Sequence, residues 1–370
     1  MSSLDAGYAV AAAVTTVLAC LVLMPLARRY GLLDVPSGRH DHASPTPLVG
    51  GLGILGGVLA MALLRGAFDP GLIAYLVAAA LLVVVGVVDD RRDLSWRLRI
   101  VVQACAGLIL AAGGVQAASV GHLFAFGSWS IPFSVLATVG TINAVNMIDG
   151  SDGLAGSLVL IALGFFALVA LGAGDAALAG HLLLIAGAVA GFLVFNLRRP
   201  GLPAARLFLG NSGSALLGLT VVWAAFSLAR IPGNAAAGIV APWLVALPLL
   251  DCVVVMTRRL LAGRSPFSAD RNHLHHLLRD AGHTPQQIVR LCALAALAAG
   301  AAALAWLHHT GAELALVLLF IGVLLLHYLA TRRRERAVTW LRRRRCRAAD
   351  GSAGRSCQWR RSGRRRSGSG

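Results

Sequence analysis

Eleven apolar runs of roughly membrane-crossing length punctuate the chain, and they decide what it can fold into. A helix needs about 20 apolar residues to cross about 30 Å of hydrocarbon. Runs of that kind lie near 7–27, 48–66, 70–88, 99–118, 131–146, 154–173, 177–196, 212–230, 237–257, 287–307 and 312–331. Composition closes off the alternatives, with 57% hydrophobic residues, 13% charged and a mean hydropathy of +0.75. A soluble domain carries about 25% charge, and so little polar surface cannot cover so apolar a core in water. Disorder is excluded for most of the chain by the same figures. The expected fold is all-α, a polytopic integral membrane protein of about eleven transmembrane helices. Abundant Gly and Ala suit close helix packing in lipid.

The loops between the runs alternate in character. One set is short and nearly uncharged. The other carries Arg28, Arg29 and Arg39, then Arg91, Arg92 and Arg97, then Arg198, Arg199 and Arg206, then Arg258 through Arg279. Basic loops stay cytoplasmic, so the N-terminus is expected outside and the C-terminus inside. The first run has no basic segment before it and no clear cleavage site, and reads as a retained span. Residues 1–331 form the membrane domain on this reading, and 332–370 an Arg-rich tail expected to be disordered and able to touch anionic lipid. All basic residues besides histidine are Arg, and 15 of the 33 lie after residue 331. The high isoelectric point therefore belongs to the tail and does not point to a nucleic-acid partner. Six cysteines without a CxxC pair predict neither a disulfide framework nor structural zinc.

The acids are more informative than the bases, because an unpaired charge in lipid is expensive. The run Val83–Asp93 ends an apolar span in two adjacent aspartates, Asp89 and Asp90. Adjacent carboxylates repel unless a cation sits between them or one takes a proton. The pair suits a hard cation or proton abstraction at a membrane surface; a solvated loop start is the plainer alternative. In Thr141–Gly153, the residues Asn143, Asn146, Asp149 and Asp152 recur every three positions. On a continuing helix they make one slowly spiralling polar stripe, fit for a polar ligand or a metal. Gly210–Ser214 precedes another apolar run, and its backbone N–H groups suit either phosphate or a plain helix cap. The largest basic loop carries Arg271, His273, His275 and His276. Without HExxH or a nearby Cys it is a poor zinc site. Arg beside several His suits anionic oxygens, a diphosphate above all. No GxxxxGK[ST] loop is present, so P-loop chemistry is not indicated. Acids for a divalent cation and bases for phosphates on one membrane face form a layout for phosphoryl transfer.

With those segments in view, the chain resembles the polyprenyl-phosphate N-acetylhexosamine-1-phosphate transferases from about Asp34 to about Trp306. The resemblance rests on Pro47–Gly51 (PLVGG), Val88–Asp90 (VDD), Ile142–Leu154 (INAVNMIDGSDGL), Phe208–Gly218 (FLGNSGSALLG), Pro248–Asp251 (PLLD) and Ser265–Leu278 (SPFSADRNHLHHLL). INAVNMIDG, SPFSADR and HLHH are similar to the WecA-like branch, which acts on UDP-GlcNAc. The resemblance implies an enzyme in which undecaprenyl phosphate attacks the β-phosphorus of UDP-GlcNAc, with Mg²⁺ (or Mn²⁺), to give undecaprenyl-diphosphate-GlcNAc and UMP. That is the first membrane step of a cell-surface polysaccharide. Carried over by motif, Asp89, Asp90, Asp149 and Asp152 are catalytic. Asn143, Asn146, Arg271, His273, His275 and His276 bind substrate, and Asp149, Asp152 and Asn211 hold the metal. The implied partners are undecaprenyl phosphate, a UDP-N-acetylhexosamine and the bilayer, with room for a homodimer. One position departs: the family pattern FxGDxGS has Asp where this chain has Asn211. An amide oxygen still ligates Mg²⁺, with one negative charge less.

Three other readings compete. A transporter would carry its polar groups near the bilayer midplane on repeated halves; here they sit at span ends, and the sequence shows no internal repeat. An inactive scaffold is motivated by Asn211. The same reaction with UDP-FucNAc or UDP-QuiNAc as donor would leave every motif unchanged.

Overall fold

A computed structural model describes residues 3–35, 44–234, 237–266, 271–307 and 313–350. Its helices are α1 (Ser3–Tyr30), α2 (Gly50–Arg65), α3 (Pro70–Arg92), α4 (Trp96–Ala112), α5 (Ser130–Ile148), α6 (Leu154–Gly172) and α7 (Ala176–Asn196). After them come α8 (Gly210–Ala229), α9 (Ala237–Leu244), α10 (Ala246–Leu261), α11 (Leu274–Asp280), α12 (Pro285–Leu307), α13 (Glu313–Thr331) and α14 (Arg334–Asp350). Sheet among the described residues is limited to two hairpins of two-residue strands, β1 (Leu33–Asp34) with β2 (Thr46–Pro47) and β3 (Ser119–Val120) with β4 (Phe124–Ala125). The all-α polytopic expectation holds.

Each of the eleven apolar runs is helical, but not all are long enough to cross a membrane alone. Eight helices among the described residues have the length and hydropathy of a span. A ninth results if α9 and α10, bent by 77° at Val245, are one broken span. The runs near 48–66 and 99–118 yield helices of 16 and 17 residues, short of the expected count of eleven. The small residues of α2 are there for packing rather than for length.

Helix α8 is the hub, and glycine lets its neighbours reach it. A Cβ on Gly51 of α2 would lie 2.5 Å from the Gly213 nitrogen, one on Gly86 of α3 2.4 Å from the Ser212 Cα, and one on Gly218 2.5 Å from the Ile142 Cα of α5. Each is closer than any real Cβ contact, so backbone meets backbone at all three crossings. Without a hydrophobic driving force between helices in lipid, that close van der Waals fit holds the bundle. The PLVGG segment is scaffold of the same kind: Phe208 N donates to the Pro47 carbonyl (2.8 Å) and Gly50 N to the Phe208 carbonyl (2.9 Å).

The tail departs from expectation. Residues Arg334–Asp350 form α14 where disorder was expected. Ala337 and Val338 are buried and Leu341 packs against the core, a narrow apolar stripe that the surrounding arginines conceal in the sequence. The rest of the tail, 351–370, and parts of the SPFSADR and Arg39 segments lie outside the described residues.

Candidate active site

The two adjacent aspartates have different partners, because successive helix residues point about 100° apart. Helix α3 starts cleanly, with Asp69 accepting from Gly71 N (2.8 Å) and Leu72 N (3.1 Å) and Pro70 in its first turn. It ends at Asp93, whose left-handed conformation (φ 48°) turns the chain back on itself. In that turn buried Asp89 accepts from Leu94 N (2.8 Å) through Oδ1 and faces the Arg99 guanidinium through Oδ2 (3.4 Å). Asp90 points to α8 instead. Its Oδ1 accepts from Asn211 N (2.7 Å), and its Oδ2 from Ser212 N (3.4 Å) and Ser212 Oγ (3.2 Å). A side chain 121 residues away thus caps α8. Gly210, at φ 69°, leaves the room: a Cβ there would sit 2.4 Å from Asp90 Oδ2. Of the two readings of Gly210–Ser214, the cap is the one realised, since the Asn211 and Ser212 N–H groups are taken by a carboxylate and not left for phosphate.

Helix α5 does not continue through the whole polar stripe. It stops at Ile148, and Asp149 and Asp152 stand in the turn beyond it. Asn143 donates to Gln103 Oε1 (2.7 Å) and to the Val139 carbonyl, and Asn146 donates to Ser214 Oγ (2.8 Å) and Asn211 Oδ1 (3.2 Å). Both amides brace α5 against its neighbours while lining a cavity. Asp152 is committed to Arg198, whose Nε lies 2.6 Å from Oδ2, and the same oxygen accepts from Ala205 N (3.1 Å). Buried Asn196, which the sequence reading passed over, fixes this turn: its Oδ1 accepts from Gly153 N (2.8 Å) and its Nδ2 donates to the Leu207 carbonyl (2.9 Å). Burial pushes the Asp149 carboxyl up to about 7, with the charges of Asp152 and Asp90 adding to it.

The histidine segment divides as well. Helix α11 begins only at Leu274, so Arg271 and Asn272 precede it and share no helical face with His275 and His276. His273, buried, meets Asp251 Oδ2 through Nδ1 (2.8 Å), and its Nε2 lies 3.3 Å from Arg259 Nη2. Leu274 N donates to Asp251 Oδ1 (2.8 Å). Asp251 and Arg259 thus orient His273, and a lone acid inside an apolar run was the available signal for Asp251. His275 is 2% exposed and lies on Gly150, where a Cβ would be 2.1 Å from its Nε2. Burial, then His276, draws its pKa down to about 3. Burial, then the Arg271 and Arg279 charges, draws His276 down to about 4. Both imidazoles are neutral at ordinary pH, so His276, the one of the two that lines the basin, offers an anion a hydrogen bond rather than charge. Fixed positive charge comes from Arg91, Arg92, Arg99, Arg198, Arg259 and Arg279, none of which was singled out as a ligand from sequence.

These side chains surround two cavities that meet. The first, about 360 Å³, runs between α3, α4, α5 and α8 and is walled by Leu82, Val85, Trp96, Ile100 and Ile142, with Asp89, Arg99 and Asn143 among its polar lining. The second, about 930 Å³, is a polar basin lined by Asp89, Asp90, Asp149, Asp152, Arg198, His276 and Arg279 among others. Asp89, Asn146 and Asn211 line both. Arg271 and His275 line neither cavity, and His273 faces the apolar one.

No group of three or more His, Cys, Asp or Glu side chains is arranged as a metal cage among the described residues. That does not conflict with magnesium, which is usually bound by one or two carboxylates, waters and substrate phosphates. Asp149, half-buried near two other carboxylates and raised in pKa, is the group a divalent cation would relieve. The oxygen donors of the basin therefore fit a hard cation.

Comparison with known proteins follows the same residues. The family model of glycosyl transferase family 4 matches residues 72–229, the stretch from α3 through α8 that holds every aspartate of the basin but Asp34. The chain is 33% identical to an undecaprenyl-phosphate alpha-N-acetylglucosaminyl 1-phosphate transferase of Escherichia coli (strain K12) over 86% of this chain and 88% of that one. It is 36% identical to a Yersinia pestis protein of the same name, over 74% and 77%. It is 33% identical to a decaprenyl-phosphate N-acetylglucosaminephosphotransferase of Mycobacterium leprae (strain TN), over 76% and 78%. Likeness of that extent, carried through the segments that build the two cavities, makes this chain a member of glycosyl transferase family 4, among the polyprenyl-phosphate N-acetylhexosamine-1-phosphate transferases.

Proposed function

We propose that the protein transfers N-acetylglucosamine-1-phosphate from UDP-GlcNAc to undecaprenyl phosphate, releasing UMP, at the point where the two cavities meet. The carrying observation is that an apolar groove and a polar basin share Asp89, Asn146 and Asn211. A polyprenyl phosphate needs an apolar path ending in cations, and the groove supplies Arg99 beside Asp89. A nucleotide diphosphate needs a wet, cation-lined bowl, and the basin supplies Arg198, Arg279 and the neutral His276. An oxygen of the lipid phosphate attacks the β-phosphorus, and the bond from that phosphorus to the α–β bridging oxygen breaks. UMP leaves with the electron pair. Asp89 keeps Arg99 aimed at the incoming phosphate and takes a proton from it when it arrives monoprotonated. Asp90 holds the α8 terminus, and with it Asn211, in place. Asp149 and Asn211 Oδ1, with Asp152 beside them, are the groups that would hold Mg²⁺. Bound there, the ion would offset charge building on the diphosphate.

The positive-inside rule, applied to the basic loops, supports a site on the cytoplasmic face of a bacterial inner membrane, where the soluble donor is made. Asn211 in place of a carboxylate lowers the charge of the metal site without removing its oxygen. The test is UMP release from membranes holding the full chain, with undecaprenyl phosphate and each UDP-N-acetylhexosamine in turn. UMP and lipid-linked sugar in equal amounts from UDP-GlcNAc support the reading. Turnover with UDP-FucNAc or UDP-QuiNAc alone would move the donor assignment, and none with any donor would leave an inactive homologue.

A further inference from the structure

Helix α14 presents two unlike faces. The inner face, Ala337, Val338 and Leu341, is buried or packed on the core, and its arginines grip the histidine segment at both ends. Arg334 pairs with the Asp280 carboxylate and its Nε lies 3.5 Å from the Arg271 carbonyl, while Arg342 donates to the Asp280 carbonyl (2.6 and 3.0 Å). Arg271 and Asp280 bracket His273, His275 and His276. The outer face carries Arg336, Trp340, Arg343 and Arg344, all exposed. At 100° per residue they fall within one stripe about 100° wide. Trp340 is 55% exposed, and Arg344 lies over its ring at 4.7 Å.

From these two faces we infer that the outer stripe of α14 docks on anionic phospholipid headgroups and so steadies the histidine segment over the basin. The helix begins three residues after the apolar helix α13 ends, which keeps it near the membrane surface. Clustered Arg beside a span is attracted to an anionic leaflet by about 1 kcal/mol each, about fivefold in partitioning per residue. An amphipathic indole among those arginines suits the headgroup level. A soluble polyanion would use the charges but gain nothing from Trp340 or from the nearness of α13.

The experiment is hydrogen–deuterium exchange on the full chain in nanodiscs of phosphatidylcholine, with or without about 30 mol% phosphatidylglycerol, and it does not depend on the transfer reaction. The expected result is about tenfold slower exchange in 332–345, with added protection in 271–280, when the anionic lipid is present. Screening by about 0.5 M NaCl weakens the effect. Arg336→Gln/Arg343→Gln/Arg344→Gln, all on the outer face, abolishes the response, and the triple Arg→Lys variant keeps it. Equal exchange in both lipid compositions overturns the inference. So does a response that survives the Gln variant, and so does millimolar inorganic phosphate reproducing the protection in pure phosphatidylcholine.

Discussion

Replacing Gly150 with Ala tests how the histidine segment is seated. A Cβ at Gly150 would lie 2.1 Å from His275 Nε2, where ordinary contact starts at 3.4 Å, so the ring must retreat by about 1.3 Å. It has little freedom to do so. His275 is 2% exposed, the next residues N-terminal to it are held by Asp251, and Arg279 donates to the Gly150 carbonyl (3.3 Å). Overpacking a fitted site of this kind costs about 1–3 kcal/mol. The basin suffers more than stability does, because a displacement of about 1 Å at an active site can lower turnover about a hundredfold. Thermal unfolding in detergent and UMP release would be measured for Gly150→Ala, His275→Ala and the double variant. Removing the ring should relieve the clash, so the double variant unfolds at a higher temperature than additivity of the two single changes gives. A Gly150→Ala protein with wild-type stability and turnover, or strictly additive single changes, would refute the contact.

Further outcomes follow from the same geometry. Asp90→Ala strips the cap from α8 and should cost about 1–2 kcal/mol in thermal stability, whereas Asp89→Asn should abolish UMP release with a smaller loss of stability; the reverse ranking would contradict the division of roles. Asn211→Asp adds a carboxylate beside Asp149 and should lower the half-saturating Mg²⁺ concentration by about tenfold, about 1.4 kcal/mol of binding; identical metal titrations would remove residue 211 from the metal site. The Asp149 carboxyl, raised to about 7, is protonated below that pH and ionised above it. A metal-binding role needs the ionised form, so at limiting Mg²⁺ turnover should fall as pH drops through about 7. Excess Mg²⁺ should move that limb to lower pH, and a limb insensitive to metal would assign it to another group.

The helices were legible because lipid leaves the backbone one economical way to satisfy itself, and the apolar runs record it. The acidic pair, the polar stripe and the histidine cluster were legible as chemistry for the same reason, being costly where they stand. Their division of labour was not. That Asp90 caps α8, that Asp152 answers Arg198, and that His275 fills the space above Gly150 are contacts between segments 46 to 125 residues apart. No local pattern encodes them. Asn196 reads in sequence as the polar end of an apolar run, and only the fold turns it into the brace between Gly153 and Leu207. Helix α14 was hidden differently: arginine density read as disorder, and the Ala337–Val338–Leu341 stripe became visible only against α11.

The central claim is that a phosphosugar passes from nucleotide to lipid phosphate where groove and basin meet. UDP-GlcNAc carrying ³²P in its β-phosphate tests it most directly, incubated with undecaprenyl phosphate, Mg²⁺ and membranes holding either the wild-type chain or Asp89→Asn. The account predicts that the wild-type chain moves the label into solvent-extractable lipid, one phosphorus per UMP released and none of it in the UMP, and that Asp89→Asn moves none. Label remaining with a water-soluble product, or full transfer by Asp89→Asn at saturating substrates, would contradict it.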